Sequence, residues 1–171
     1  KVLIERNCRI SSGIGLGIGN AFITGAIQSV YEHHNGYVNE YLTMRPFPQY
    51  IEDKLLRDDT WKKYRYEVIG SAGIAIFFMG NKIEDSNVVM ADGVRKEFEI
   101  ARELGLALIP VGCSGYMAKE LWDEVMKNVS QYYDASNVDL IKAINELGVD
   151  VEKPEQLISK IVNVIDLMSK E

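Results

Sequence analysis

Cysteine and histidine are scarce in this chain, two of each in 171 residues. Cys8 and Cys113 give neither a metal-ligand spacing nor a disulfide framework, so no metal site is expected and each reads as a small buried residue. His33 and His34 are adjacent at a helix end, where solvent beside the negative helix terminus suits them better than a metal. Basic residues are outnumbered, 19 against 25 acidic, for a net charge of −6. That excludes a general nucleic-acid-binding face, though not a local cluster of Arg and Lys around one small anion. No apolar run is long enough to span a bilayer, and no charged-then-apolar leader opens the chain. Reduced thiols without an export signal fit a cytoplasmic setting, with no membrane partner. Internal repeats and low-complexity linkers are also missing. An initiator Met is missing too. The opening "KVLIERNCRI" reads as starting in mid-element, so a fragment of a longer protein is expected.

What is present is ordinary globular composition, 47% hydrophobic and 26% charged, enough for one domain over residues 1–171. Four stretches read as strands, at residues 9–12, 41–45, 73–79 and 106–111. The third, "GIAIFFMG", is continuously apolar, as a strand covered on both faces should be. Helical patterns lie between them, at 18–33, 48–56, 60–71 and 93–104. This alternation predicts an α/β fold: a Rossmann-like, mainly parallel sheet with helices on both faces. Three more helices follow, over 117–129, over 138–147 with Asn137 or Ser136 as cap and Gly148 as stop, and from Pro154 onward. The last carries an apolar stripe, Leu157, Ile158, Ile161, Val164, Ile165 and Met168. Such a stripe packs on its own domain or on a second subunit. Tyr132 and Tyr133, in a polar connection, add to the case for self-association.

In parallel α/β sheets ligands sit at the carboxyl ends of strands. The first candidate site is there: "SSGIGLGIGNAF", with Gly13, Gly15, Gly17 and Gly19 running from a strand into a helix. Glycine lets the backbone approach a ligand, and free amides with a helix N-terminus favour phosphate. The spacing is neither the dinucleotide fingerprint nor a Walker loop, and tight helix-on-sheet packing is the alternative. Arg65, in "WKKYRYEVIG", is either a solvated helix residue or an anion ligand. The third strand ends in the turn Gly80-Asn81-Lys82, followed by a polar connection longer than usual. Asp92 is a possible cap for the next helix. There Glu97 shares a face with Ile100, Ala101 and Leu104, so it is either paired or functional. Glu99 and Arg102 read as a solvated pair. Asn81 can serve the turn or read a ligand.

In this order, the glycine loop, Arg45-Pro46-Phe47, Arg65, the glycine turn and Glu97 resemble the SLOG superfamily, which includes the "lonely guy" nucleotide phosphoribohydrolases. The enzyme motif P-G-G-x-G-T-x-x-E is not intact, since "GVRKE" replaces its end. More closely, and over nearly the whole chain, "LIERNCRI", "RPFPQ" and "ELGLALIPVGCSGYMA" resemble the C-terminal SLOG domains of Thoeris antiphage effectors. That resemblance implies a first strand and helix before Lys1, and a sirtuin-like NAD-hydrolase domain upstream for which NAD is substrate. It implies a sensor of a cyclic ADP-ribose isomer with a 1''–3' linkage, made by a TIR-domain partner protein. Arg65, Lys82 and Glu97 match the family's ligand contacts. Asn81, Gly13, Gly15 and Gly17 complete the expected site, which has no catalytic residue and no cofactor of its own. A homo-oligomer is implied, a dimer building a tetramer or larger. The alternative is a nucleotide N-glycosidase using Arg65 and Glu97.

Overall fold

The computed structural model describes residues 1–13, 18–48 and 50–169. Its backbone contacts resolve into two compact units, Lys1–Ala72 and Gly73–Glu171.

The first unit contains α1 (Val2–Glu5), β1 (Ile10–Ser12), α2 (Ile18–His33), α3 (Val38–Tyr41), β2 (Leu42–Met44) and α4 (Lys54–Ile69). β1 and β2 are parallel, with Ile10 opposite Leu42 and Ser12 opposite Met44. Parallel neighbours need a long crossover, and α2 with α3 supplies it. Ile23, Ala26, Ile27 and Val30 recur at helical spacing on α2, so one face of that helix is apolar. That face packs with Ile4, Ile10 and Leu42 to make the unit's core. His34 is not in solvent as expected. Its Nε2 lies 2.9 Å from the Ile4 carbonyl oxygen, and its ring stacks on Tyr41 with centroids 4.1 Å apart. His33 is exposed, 3.6 Å from Glu5.

The two helices expected over 48–56 and 60–71 are one. None of the described residues in 48–53 is helical, and the Asp53 carboxylate accepts from the Leu56 amide at 3.0 Å and caps α4. The Arg57-Asp58-Asp59 stretch, read as a break, continues the helix and gains an Asp59–Lys63 pair at 2.7 Å.

The second unit contains β3 (Ile74–Phe77), β4 (Asn81–Glu84), β5 (Asn87–Met90), α5 (Asp92–Glu103), β6 (Ala107–Pro110), α6 (Tyr116–Lys127), α7 (Val138–Glu146) and α8 (Pro154–Met168), with short 3-10 turns at Gly112–Ser114 and Val129–Gln131. β3 and β6 are parallel, Ile74 opposite Ala107 and Phe77 opposite Pro110. α5 packs against both strands, and Phe98 meets the Phe77 ring edge-on at 5.2 Å. The polar connection after β3 is not a loop. It is an antiparallel hairpin, with Lys82 opposite Val89 and Ile83 opposite Val88. Asp85 and Ser86 turn it with φ of 49° and 65°, the primed-turn geometry that matches strand twist. Asn81 therefore opens a strand rather than completing a turn, and Ala91, not Asp92, stands at the cap of α5. Phe77 on β3 is buried while Ile76 before it and Phe78 just past the strand end stay 37% and 36% exposed, so the stretch is not covered on both faces as its composition suggested.

The C-terminal stripe lies largely inside the unit. Val164 and Ile165 are buried, α8 packs on α7 and β6, and Ile158 alone of the six is exposed. Tyr132 and Tyr133 are also used internally. Their hydroxyls donate to Glu124 and to the Leu108 carbonyl, each at 2.7 Å. Burial pushes the Tyr133 phenol well up. Cys8 and Cys113 are half-buried free thiols, and burial raises that of Cys113.

Trp122 on α6 packs against the end of α7. Its Nε1 donates to the Ile144 carbonyl at 2.9 Å, and its ring lies against Gly112 and Gly148. A Cβ on Gly148 would fall 2.2 Å from Trp122 Cζ2, closer than any side-chain contact permits. Gly148→Ala is expected to cost about 1–3 kcal/mol, the range for overpacking. At about 2–4 °C per kcal/mol for a chain of this size, calorimetry should register the drop. Gly73→Ala, with nothing within 4 Å of the added carbon, is the near-silent control. Equal melting of both variants would show that the Trp122 seat is not tight.

Candidate functional site

The sequence-predicted residues fall into two clusters, one in each unit. In the first unit the carboxyl end of β1 leads into Gly13. A Cβ there would lie 2.9 Å from Phe47 Cε2, so only glycine lets the chain pass this ring without displacing it. Gly15 and Gly17 lie outside the described residues. The amide of Arg45 donates to the Ser12 carbonyl at 2.8 Å, which holds the Arg45-Pro46-Phe47 turn beside the end of β1.

Phe47 is the hub of this cluster. Its ring meets Tyr64 edge-on at 5.2 Å and Trp61 at 6.1 Å. Arg65 lies over the same ring, with Cζ 5.0 Å from the Phe47 centroid and 5.9 Å from that of Trp61. Trp61 Nε1 donates to the Pro48 carbonyl at 2.8 Å, which fixes its indole. Arg65 is only 8% exposed, so it is not a solvated face residue. A guanidinium stacked on aromatic rings keeps its charge in a poorly hydrated seat, while its N–H fork donates in its own plane. Such a group suits a planar or multi-oxygen anion. Of these partners only Trp61, at i−4 from Arg65, is legible from helical spacing in the sequence.

In the second unit the carboxyl end of β3 leads through Met79 and Gly80 into β4. Gly80 has φ +88°, and an added Cβ would lie 2.9 Å from Met117 Cβ and 3.2 Å from Val94 Cγ2. This close approach seats the start of β4 against α5 and α6. Lys82 follows on β4. Its ammonium lies 3.1 Å from Asp92 Oδ1 and 3.3 Å from Glu84 Oε2. The hydrogen bond to Asp92, then that to Glu84, holds the Lys82 pKa above its ordinary value, and Lys82 in turn holds the Asp92 carboxyl below its own. The cation expected to meet an anionic ligand is thus already flanked by two carboxylates.

Glu97 is half-buried on α5 and shares a face with Val94, the residue that meets Gly80. Leu104 does not extend that face, since it is 42% exposed beyond the helix end. Nor is Arg102 held by Glu99 as a surface pair. Arg102 Nη2 donates to Gln131 at 3.3 Å and its guanidinium lies 4.8 Å over the Tyr132 ring. Tyr132 and Arg95 both donate to Glu124. Burial pushes the Glu124 carboxyl up, but these two hydrogen bonds outweigh it and hold it below its usual value. The arrangement ties α5 to α6 and so fixes the helix that carries Glu97.

Among the described residues no group of three or more His, Cys, Asp or Glu is placed to hold a metal. No helix among them is long and apolar enough to cross a membrane.

Parallel β pairs with glycines at the strand ends and crossover helices between them define a Rossmann-like α/β protein of the SLOG kind. Residues 1–168 match the family described as the Sir2- and TIR-associating SLOG family, STALD, and the chain belongs to it. It is similar to proteins named NAD(+) hydrolase ThsA. The protein of Acinetobacter baumannii (strain 532279) is 44% identical over 174 residues, covering 98% of this chain and 36% of that protein. That of Cytobacillus dafuensis is 40% identical over 164 residues, covering 95% and 33%. That of Bacillus cereus (strain MSX-D12) is 36% identical over 169 residues, covering 99% and 35%. The chain therefore spans about a third of the length of the curated relatives it matches.

Proposed function

We propose that this chain is the sensor domain of a Thoeris antiphage effector, binding a cyclic ADP-ribose isomer of 1''–3' linkage made by a TIR-domain partner. Binding would change subunit packing and so release a separate NAD-hydrolysing domain in the cytoplasm. The observation that carries the reading is Arg65, a guanidinium 8% exposed and laid over Phe47 and Trp61 beside the end of β1. A cation held in such a seat has its side-chain entropy already spent and suits a pyrophosphate. Lys82 offers a second positive charge, and Glu97 an acceptor for ribose hydroxyls. Asn81, at the start of β4, is available to a base or a ribose. The Gly13 backbone adds to the phosphate side with Gly15 and Gly17. Family membership and the names of the relatives support a role coupled to NAD hydrolysis.

The sensor reading also expects a homo-oligomer, a dimer building a tetramer or larger. Light scattering at micromolar concentration, with and without messenger, should give more than the monomer mass. Calorimetric titration with the 1''–3' isomer should show saturable binding. Incubation of the chain with NAD should release no nicotinamide, and incubation with AMP should release no adenine. Base release from AMP would replace the sensor by a nucleotide N-glycosidase working through Arg65 and Glu97. No binding and no turnover would defeat both readings.

A further inference from the structure

We infer that Tyr116 is a stacking platform for the base of the messenger, an inference that rests on the sensor reading and adds a residue to its site. Four residues at the carboxyl ends of the parallel strands β3 and β6 have left-handed backbones. They are Met79 (φ 56°) and Gly80 (φ 88°) after β3, and Gly115 (φ 79°) and Tyr116 (φ 52°) after β6. Two are glycines, where this costs little. Met79 and Tyr116 are not, and a bulky side chain in this region is a genuine outlier. It persists only where the surroundings impose it.

The surroundings here are a short chain of hydrogen bonds. Ser114 Oγ accepts from the Met79 amide at 2.8 Å and donates to the Val111 carbonyl at 2.6 Å. The Ala118 amide donates to the Met79 carbonyl at 2.8 Å. These bonds tie the start of α6 to the end of β3. Met117, the next residue after Tyr116, backs onto Gly80, which also meets Val94. Tyr116 is thereby set at the same strand ends as Asn81, and beside the helix whose face carries Val94 and Glu97.

The exposure of the ring is the second half of the argument. Tyr116 is 41% exposed, the most exposed aromatic among the described residues of the second unit. Phe77 and Phe98 are buried, and the Tyr132 and Tyr133 hydroxyls are bonded inside. The Tyr116 ring thus stands half in water on a backbone that disfavours a bulky side chain. Asn81 at the start of β4 and Glu97 on α5 are hydrogen-bonding groups on the elements that meet these strand ends, and a flat ring supplies what a purine face needs.

Calorimetric titration of the chain with the 1''–3' isomer tests this with three variants, each also melted. Tyr116→Phe keeps the ring and should bind within about threefold of the parent. Tyr116→Ala and Tyr116→Gly remove it and should weaken binding roughly 5- to 150-fold, the range for loss of one base–aromatic stack. Tyr116→Gly should at the same time melt no lower than the parent, because glycine accepts the left-handed backbone. A Tyr116→Gly variant that binds like the parent, while Arg65→Ala loses binding, would overturn the platform and leave the sensor reading standing. A parent chain that binds no messenger would overturn both.

Discussion

Arg65→Ala should weaken binding of the 1''–3' cyclic ADP-ribose isomer roughly ten- to hundredfold. The figure follows from about 1.5–3 kcal/mol for hydrogen bonds to a charged group, at about 1.4 kcal/mol per decade of affinity. The seat makes this more than a charge deletion. Phe47 lies 5.0 Å and Trp61 5.9 Å from the guanidinium carbon, so the planar group sits against two rings that suit it better than they suit an ammonium. Arg65→Lys keeps the charge but loses that planar group, and an ammonium is a strongly hydrated point charge. Most of the loss should therefore appear in the lysine variant as well. Because Arg65 is nearly buried, truncation also removes packing, and Arg65→Ala is expected to melt lower than the parent. The lysine variant, with its long stem still in place, separates the two effects. Glu97→Gln retains shape and exchanges an acceptor for a donor, so it should lose the ribose contact while the chain still folds. Parent-like titration curves for Arg65→Lys, Arg65→Ala and Glu97→Gln, with all three folded by circular dichroism, would place the messenger elsewhere.

The parts of this molecule that composition makes visible are the strands. β3 and β6 are short apolar runs, β1 and β2 mix apolar with hydroxyl residues, and each was readable near its observed position. α2, α7 and α8 were readable from apolar spacing, an Asn137 cap and a Pro154 start. α4 was readable only as two separate helices, because its middle holds Arg57-Asp58-Asp59, which looks like a break. It is held by its Asp53 cap and by aromatic contacts to a turn far away in sequence. The hairpin escaped. Its turn is Asp85-Ser86 rather than Asn-Gly, and of its apolar residues Ile83, Val88 and Met90 are exposed and only Val89 is half-buried, so it buries little of a core face.

The site shows the same division. Chemistry-bearing residue types stand out in sequence, so Arg65, Lys82 and Glu97 could be singled out from motif and spacing. Their partners could not, since they depend on tertiary approach. Phe47 reaches Arg65 only because the Arg45 amide bonds the end of β1. Asp92 reaches Lys82 only because β4 and β5 fold back and deliver the start of α5. For Arg102 the neighbour along the helix was the wrong guess. The residues that hold it, Gln131 and Tyr132, lie beyond α6.

Lys82 leads to the least intuitive expectation, that removing an acidic residue tightens messenger binding. The ammonium lies 3.1 Å from Asp92 and 3.3 Å from Glu84, with the lysine side chain 40% exposed. Exposed pairs of this kind are weak, being screened by solvent and salt, so they yield to a stronger anion. A pyrophosphate that approaches Lys82 must displace the two carboxylates or accept their repulsion, about 1 kcal/mol per unit charge at 4 Å in water. Asp92→Asn and Glu84→Gln relieve both. Each is expected to tighten binding by a few-fold, and the gain should shrink in high salt because the groups are exposed. Lys82→Glu has the opposite sign twice over: it deletes the attraction and places a third carboxylate in the cluster. It should weaken binding by more than Lys82→Ala, beyond roughly a hundredfold at low salt. Titrations of the four variants at two salt concentrations decide the matter. If Asp92→Asn binds more weakly than the parent, Asp92 is an acceptor for the messenger rather than a competitor for Lys82. If Lys82→Glu binds as well as Lys82→Ala, the ammonium does not face the phosphates at all.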